Sequence, residues 1–93
     1  MAARITLEFE ATADQYDEVN GKIGEDPPDG LILHSAVDQG GTMKIVDIWE
    51  SADQFGAFAQ GKLGPAVAEV LGEGGSPPDP QIEELHNYEV YGS

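Results

Sequence analysis

The run L-I-L-H-S-A-V-D-Q-G-G-T-M-K-I-V-D-I-W, from Leu31 to Trp49, holds two strand-length apolar segments around Gly40-Gly41. A two-residue hairpin turn of the mirror-image type needs left-handed backbone at both central positions, which glycine adopts freely. With Gly40-Gly41 at the centre, His34 faces Asp47 across the hairpin. Ser35 then faces Val46, Leu33 faces Ile48 and Ile32 faces Trp49. Because side chains alternate along a strand, one face carries Leu31, Leu33, Val37, Val46 and Ile48. The other carries Ile32, His34, Ala36, Ile45, Asp47 and Trp49.

Outward from the hairpin, the pattern repeats. Arg4 to Glu10 alternates Ile5, Leu7 and Phe9 with polar residues, the period of a strand with one apolar face. Thr12 opens T-A-D-Q, a capping-box pattern, and Tyr16, Val19 and Ile23 follow at helical spacing, so a helix is expected over Ala13–Lys22. Gly24 to Gly30 reads as a loop. Ser51 opens S-A-D-Q, and a second helix is expected from Ala52 to Leu71, with Pro65 starting a new segment or a kink. Gly72 to Pro80 reads as a loop and Gln81 to Tyr91 as a fourth strand. The order strand-helix-strand-strand-helix-strand is the ferredoxin-like split βαβ arrangement. It predicts an α+β chain of class βαββαβ, one domain over residues 1–93, with a four-stranded antiparallel sheet and two helices on one face.

Two helices cover one face of a single-layer sheet, yet both hairpin faces are apolar. The expected cover for the second face is a second copy of the chain, sheet against sheet, giving a homodimer. A chain of 93 residues hides only about 60% of its unfolded surface, so association helps its stability.

Composition narrows the partners. Four basic residues stand against 18 acidic ones, a net charge of −14, which disfavours nucleic acid and anionic membrane surfaces. The absence of cysteine removes disulfides, thiol catalysis and Cys-based metal sites. No apolar run reaches membrane-spanning length, and the first residues enter a strand without a signal-peptide pattern, so a cytoplasmic location is expected. No phosphate loop, dinucleotide fingerprint or paired-histidine metal spacing is present; no cofactor and no metal are expected.

Asp47 is a carboxylate within an apolar strand, costly there unless paired, and His34 is its natural partner. The pair reads either as a catalytic acid–base couple beside the Trp49 ring or as a structural bond that fixes the hairpin. Trp49 is a core or interface anchor, or the wall of a pocket for a planar apolar ligand. His86 and Tyr88, in L-H-N-Y, lie on one face of the fourth strand and are candidate substrate contacts or simply surface residues. Tyr16 is a core residue under the sheet or a further substrate contact.

The runs G-L-I-L-H-S-A (Gly30 to Ala36), V-D-I-W-E-S-A-D-Q-F-G-A-F (Val46 to Phe58), L-G-P-A (Leu63 to Ala66) and L-H-N-Y (Leu85 to Tyr88) resemble the dimeric α/β-barrel proteins grouped with the antibiotic biosynthesis monooxygenases. The resemblance spans nearly the whole chain, and W-x-S before the second helix is its most specific part. It implies a ferredoxin-like protomer, a barrel closed by a partner's sheet, and an apolar pocket between sheet and helices. Relatives include cofactor-independent quinone-forming oxygenases, haem-degrading oxygenases and small isomerases. The haem-degrading branch fits poorly, since the first strand has no asparagine and Ala52 to Leu71 has no histidine. Of the residues the quinone-forming branch places around a phenol, Trp49 carries over, whereas the single arginine, Arg4, sits at a strand start. The implied function is a cofactor-independent monooxygenase-like or isomerase-like activity on an aromatic or polyketide-like molecule. The alternative is a non-catalytic small-ligand-binding or accessory dimer.

Overall fold

A computed structural model describes residues 1–72 and 79–91. Its elements run β1 (Ala3–Glu10), α1 (Ala13–Ile23), β2 (Leu31–Asp38), β3 (Thr42–Trp49), α2 (Ala52–Phe58), a π-helical turn (Ala59–Leu63), α3 (Gly64–Leu71) and β4 (Gln81–Glu84). The four strands form one antiparallel sheet in the order β2-β3-β1-β4. This is the expected ferredoxin-like arrangement. The loop expected over Gly72–Pro80 falls mainly on residues 73–78, outside the described residues.

The hairpin turn closes through the Gln39 N–H donating to the Thr42 carbonyl at 2.8 Å, with Gly40 and Gly41 at φ 79° and 98°. His34 faces Asp47, Ser35 faces Val46 and Leu33 faces Ile48, as the turn dictates. The register then shifts. A bulge between Leu31 and Leu33 sets Leu31, not Ile32, opposite Trp49. The extra residue moves Leu31 to the helix-covered side of the sheet, so the expected grouping of Leu31 with Leu33 does not hold.

Thr12 and Gln15 form both halves of the capping box at the start of α1, at 3.1 and 2.9 Å. At the second site Ser51 accepts from the Gln54 N–H, but its hydroxyl donates to the Gln54 side chain, leaving only half a box. The second helix is continuous in backbone conformation but widens in the middle. The Gly64 N–H donates to the Ala59 carbonyl, five residues back. Pro65, the second residue of α3, has no N–H to give, which favours the wider turn before it.

The core lies between the sheet and the helices: Ala3, Ile5, Leu7, Ile45 and Trp49 from the sheet against Phe55, Leu63 and Val67. On the opposite side of the sheet, Leu33 and Val37 are 38% and 53% exposed, beside Val46 and Ile48. Arg4 on that side holds Glu83 at 2.7 Å, tying β1 to β4.

The fourth strand is shorter than expected. Its ladder ends where the Leu85 N–H donates to the Ala2 carbonyl at 3.0 Å. Beyond that bond no β1 backbone lies alongside, so Leu85–Tyr91 leaves the sheet despite its alternating pattern.

Candidate functional site

The capping box fixes where α1 begins, and Tyr16 falls one turn in, on the side that faces the sheet. β2 and β3 place His34 and Asp47 directly opposite each other on the same side. The result is a continuous hydrogen-bonded chain. The Tyr16 hydroxyl lies 2.6 Å from His34 Nε2. His34 Nδ1 lies 2.6 Å from Asp47 Oδ1, and the Trp49 indole N–H donates to Asp47 Oδ2 at 3.2 Å.

Each carboxylate oxygen of the buried Asp47 therefore has its own donor, which answers the cost of placing a charge in an apolar strand. A carboxylate can only accept, so the His34 proton sits on Nδ1 and the neutral ring offers Nε2 as an acceptor to Tyr16. The two rings are parallel within 8° with centroids 6.2 Å apart. That separation is too long for face-to-face contact and suits rings joined end to end through the hydroxyl.

The hydrogen bond that His34 donates to Asp47 is the main cause that raises the His34 pKa above its ordinary value; the Asp47 charge adds to it and partial burial opposes it. Burial raises the Tyr16 pKa first, and the charges of Asp47 and Asp17 raise it further. Tyr16 is thus held as a neutral phenol, while His34 takes up a proton readily.

This chain borders a cavity of about 790 Å³ between the sheet, α1 and the second helix. That volume lies within the range of small-ligand sites. Its walls are chiefly apolar. Trp49 meets Phe55 edge-on at 5.6 Å and Phe58 at a tilt at 5.4 Å, and all three line the space. Leu31 joins them because of the bulge. Asp17, Glu25 and Asp26 also border the cavity, and among the described residues no lysine or arginine does.

Of the residues singled out from sequence, His34, Asp47, Trp49 and Tyr16 come together here. His86 and Tyr88 do not. They lie in the exposed segment after β4, outside the strand expected for them, and neither lines this cavity in its own chain. Sequence reasoning misses the Tyr16–His34 bond, Asp17 and the Phe55–Phe58 wall. The helical spacing of Tyr16 turns it toward the sheet, but only the strand order shows which strand it meets. Among the described residues no cluster of three metal-ligating side chains occurs, and no helix is long and apolar enough to cross a membrane.

No family model matches the chain, and no curated protein matches it. Solved structures do. A Chloroflexus aurantiacus protein provisionally described as an antibiotic biosynthesis monooxygenase superposes with a TM-score of 0.65 at 14% identity, covering 99% of this chain and 100% of its own. A protein of unknown function from Nitrosomonas europaea gives 0.67 at 17% identity, covering 99% and 96%. The chain has the ferredoxin-like fold of these proteins. A second protein provisionally described as such a monooxygenase, from Deinococcus radiodurans, gives 0.56 at 15% identity, covering 99% and 100%. The ferredoxin-like match thus covers 99% of the chain in each case. At these identities it speaks for fold and not for chemistry.

Proposed function

We propose that the chain binds an aromatic or polyketide-like small molecule in the cavity and acts on it by proton transfer, as a cofactor-independent monooxygenase-like or isomerase-like enzyme. The observation that carries this reading is the Asp47–His34–Tyr16 chain at the border of an apolar cavity of about 790 Å³. His34 is the base and Asp47 stabilises the imidazolium that forms, while Tyr16 and Trp49 contact substrate. Isomerisation needs only a proton moved from one atom to another. Oxygenation of a phenol to a quinone takes up one O₂ and releases one water, with no other reductant. The names of two of the fold's neighbours favour the oxygenase form.

The working unit in this proposal is a homodimer, packed through the open side of the sheet at Leu33, Val37, Val46 and Ile48. His86 and Tyr88 contact substrate in this reading only through the second copy. The decisive experiment incubates the protein with a panel of hydroxylated naphthalenes and anthracenes and follows oxygen uptake and product spectra. Turnover that falls at least a hundredfold in His34→Ala supports the proposal; equal turnover in that variant refutes the base.

A second reading has an observation in its favour. Among the described residues no buried side-chain polar atom lacks a partner, as expected of a structural network. In that case the chain is a non-catalytic ligand-binding or accessory protein. Ligands then perturb Trp49 fluorescence without oxygen uptake or product.

A further inference from the structure

We infer that the Tyr16 hydroxyl is the polar contact between cavity and ligand, and that the protonation of His34 decides whether it offers that ligand an acceptor or a donor. This rests on the reading that the cavity holds a small molecule, and it adds the chemical class selected and the residue that selects it.

The geometry leaves the hydroxyl two arrangements. A phenolic oxygen has one proton and room to accept. With His34 neutral, Nδ1–H points at Asp47, and the Tyr16 O–H is spent on Nε2 at 2.6 Å. The side turned to the cavity then presents lone pairs and suits a ligand that donates, such as a phenol or enol. With His34 protonated, Nε2–H donates to the Tyr16 oxygen along the same line. The tyrosine proton is released toward the cavity and suits a ligand that only accepts, such as a ketone or quinone.

The hydrogen bond to Asp47 and its charge favour the protonated arrangement, and partial burial opposes it. Asp47 on β3 and Asp17 on α1 lie nearest, Glu25 and Asp26 in the loop after α1 border the same cavity, and β1 and the second helix contribute apolar side chains to its lining. The same carboxylates, with no lysine or arginine among the described lining residues, select against anionic ligands. The class is a neutral molecule with an apolar body and one oxygen at its polar end.

Turnover of a phenol makes the two arrangements successive. The ligand O–H breaks as its proton passes to the Tyr16 oxygen. The original Tyr16 O–H breaks as that proton passes to His34 Nε2. Tyr16 then donates to the new ligand oxyanion without becoming a free phenolate, which its raised pKa disfavours.

The test uses 1-tetralone, which accepts only, and naphthalene, which does neither. Each is titrated from about pH 5.5 to about pH 9 while the single indole N–H signal of Trp49 is followed by NMR. The expected result is tetralone binding roughly fivefold tighter at the acid end, the worth of one net hydrogen bond, with naphthalene flat. Tyr16→Phe is expected to flatten the tetralone profile and keep naphthalene binding. Should that variant fold poorly, His34→Gln removes the titrating group and predicts the same flattening. A flat tetralone profile in the wild type, beside intact naphthalene binding, overturns this inference alone. Failure of both probes to bind overturns the ligand cavity and this inference with it.

Discussion

His34 and Asp47 stand directly opposite each other on β2 and β3, with Nδ1 2.6 Å from Oδ1. The pair joins the half-exposed histidine to a carboxylate that is 5% exposed and also bonded to Trp49. Its first consequence concerns pH. A histidine whose folded pKa is raised contributes stability that is fully present below its unfolded value, near 6.5, and is lost as pH rises through the folded value. The expected outcome is a melting temperature that declines from pH 6 toward pH 9 in the wild type, with a smaller decline in Asp47→Asn. An NMR titration of the His34 ring should give a midpoint that falls in the same variant. An unchanged midpoint refutes the coupling.

Removing the carboxylate altogether is more damaging. Asp47→Ala leaves the Trp49 N–H without its acceptor in the core and His34 Nδ1 without its partner. The expected cost is about 2–4 kcal/mol, a large share of the stability of a chain this small. Asp47→Asn keeps the shape and one acceptor and is expected to cost about half as much. Urea denaturation of the two variants beside the wild type reads the difference.

The open side of the sheet carries the dimer proposal. Val46 faces Thr6 on β1 and Ser35 on β2, at the middle of the sheet. Val46→Glu sets an unpaired charge in the proposed interface and is expected to shift sedimentation toward the monomer, with the circular dichroism of the fold kept at moderate concentration. A wild type that sediments as a monomer at micromolar concentration refutes the sheet-to-sheet dimer outright.

Gly30 shows how local backbone holds the site. It sits at φ +89° just before β2, its carbonyl accepts the Glu50 N–H at 2.7 Å, and the Gln54 side chain fills the space where a Cβ would go. Gly30→Ala is expected to cost about 1–2 kcal/mol, mostly from the left-handed backbone, since the end of a glutamine can move aside. Adding Gln54→Ala should recover only a minor part, which thermal melts of the single and double variants would show.

Which of these features the sequence discloses follows from their physics. The hairpin register is legible because two glycines and a side-chain period of two both constrain it, so the residues alone place His34 opposite Asp47. The bulge at Ile32 is not legible, because L-I-L has no polar residue to pin its alternation. The end of β4 is hidden for another reason: L-H-N-Y alternates well, but a strand needs a neighbouring backbone, and that depends on how far β1 runs. Tyr16 is visible as a helix residue turned inward. Its bond to His34 requires the order β2-β3-β1-β4, which sequence pattern alone does not supply.

The apolar lining of the half-open cavity leads to the last expectation. Leu63 and Val67 belong to the buried cluster yet also line the cavity of about 790 Å³. In a filled core, Leu63→Phe forces side chains off their rotamers and costs about 1–3 kcal/mol. Here the larger ring can grow into empty space and bury more apolar surface. The expected outcome is a melting temperature equal to or a few degrees above wild type, together with naphthalene binding weakened at least tenfold. Such a trade of ligand space for stability is the mark of a cavity maintained for occupancy and not left by poor packing. A clear loss of stability in Leu63→Phe, with ligand binding unchanged, shows instead that the space around Leu63 is already filled.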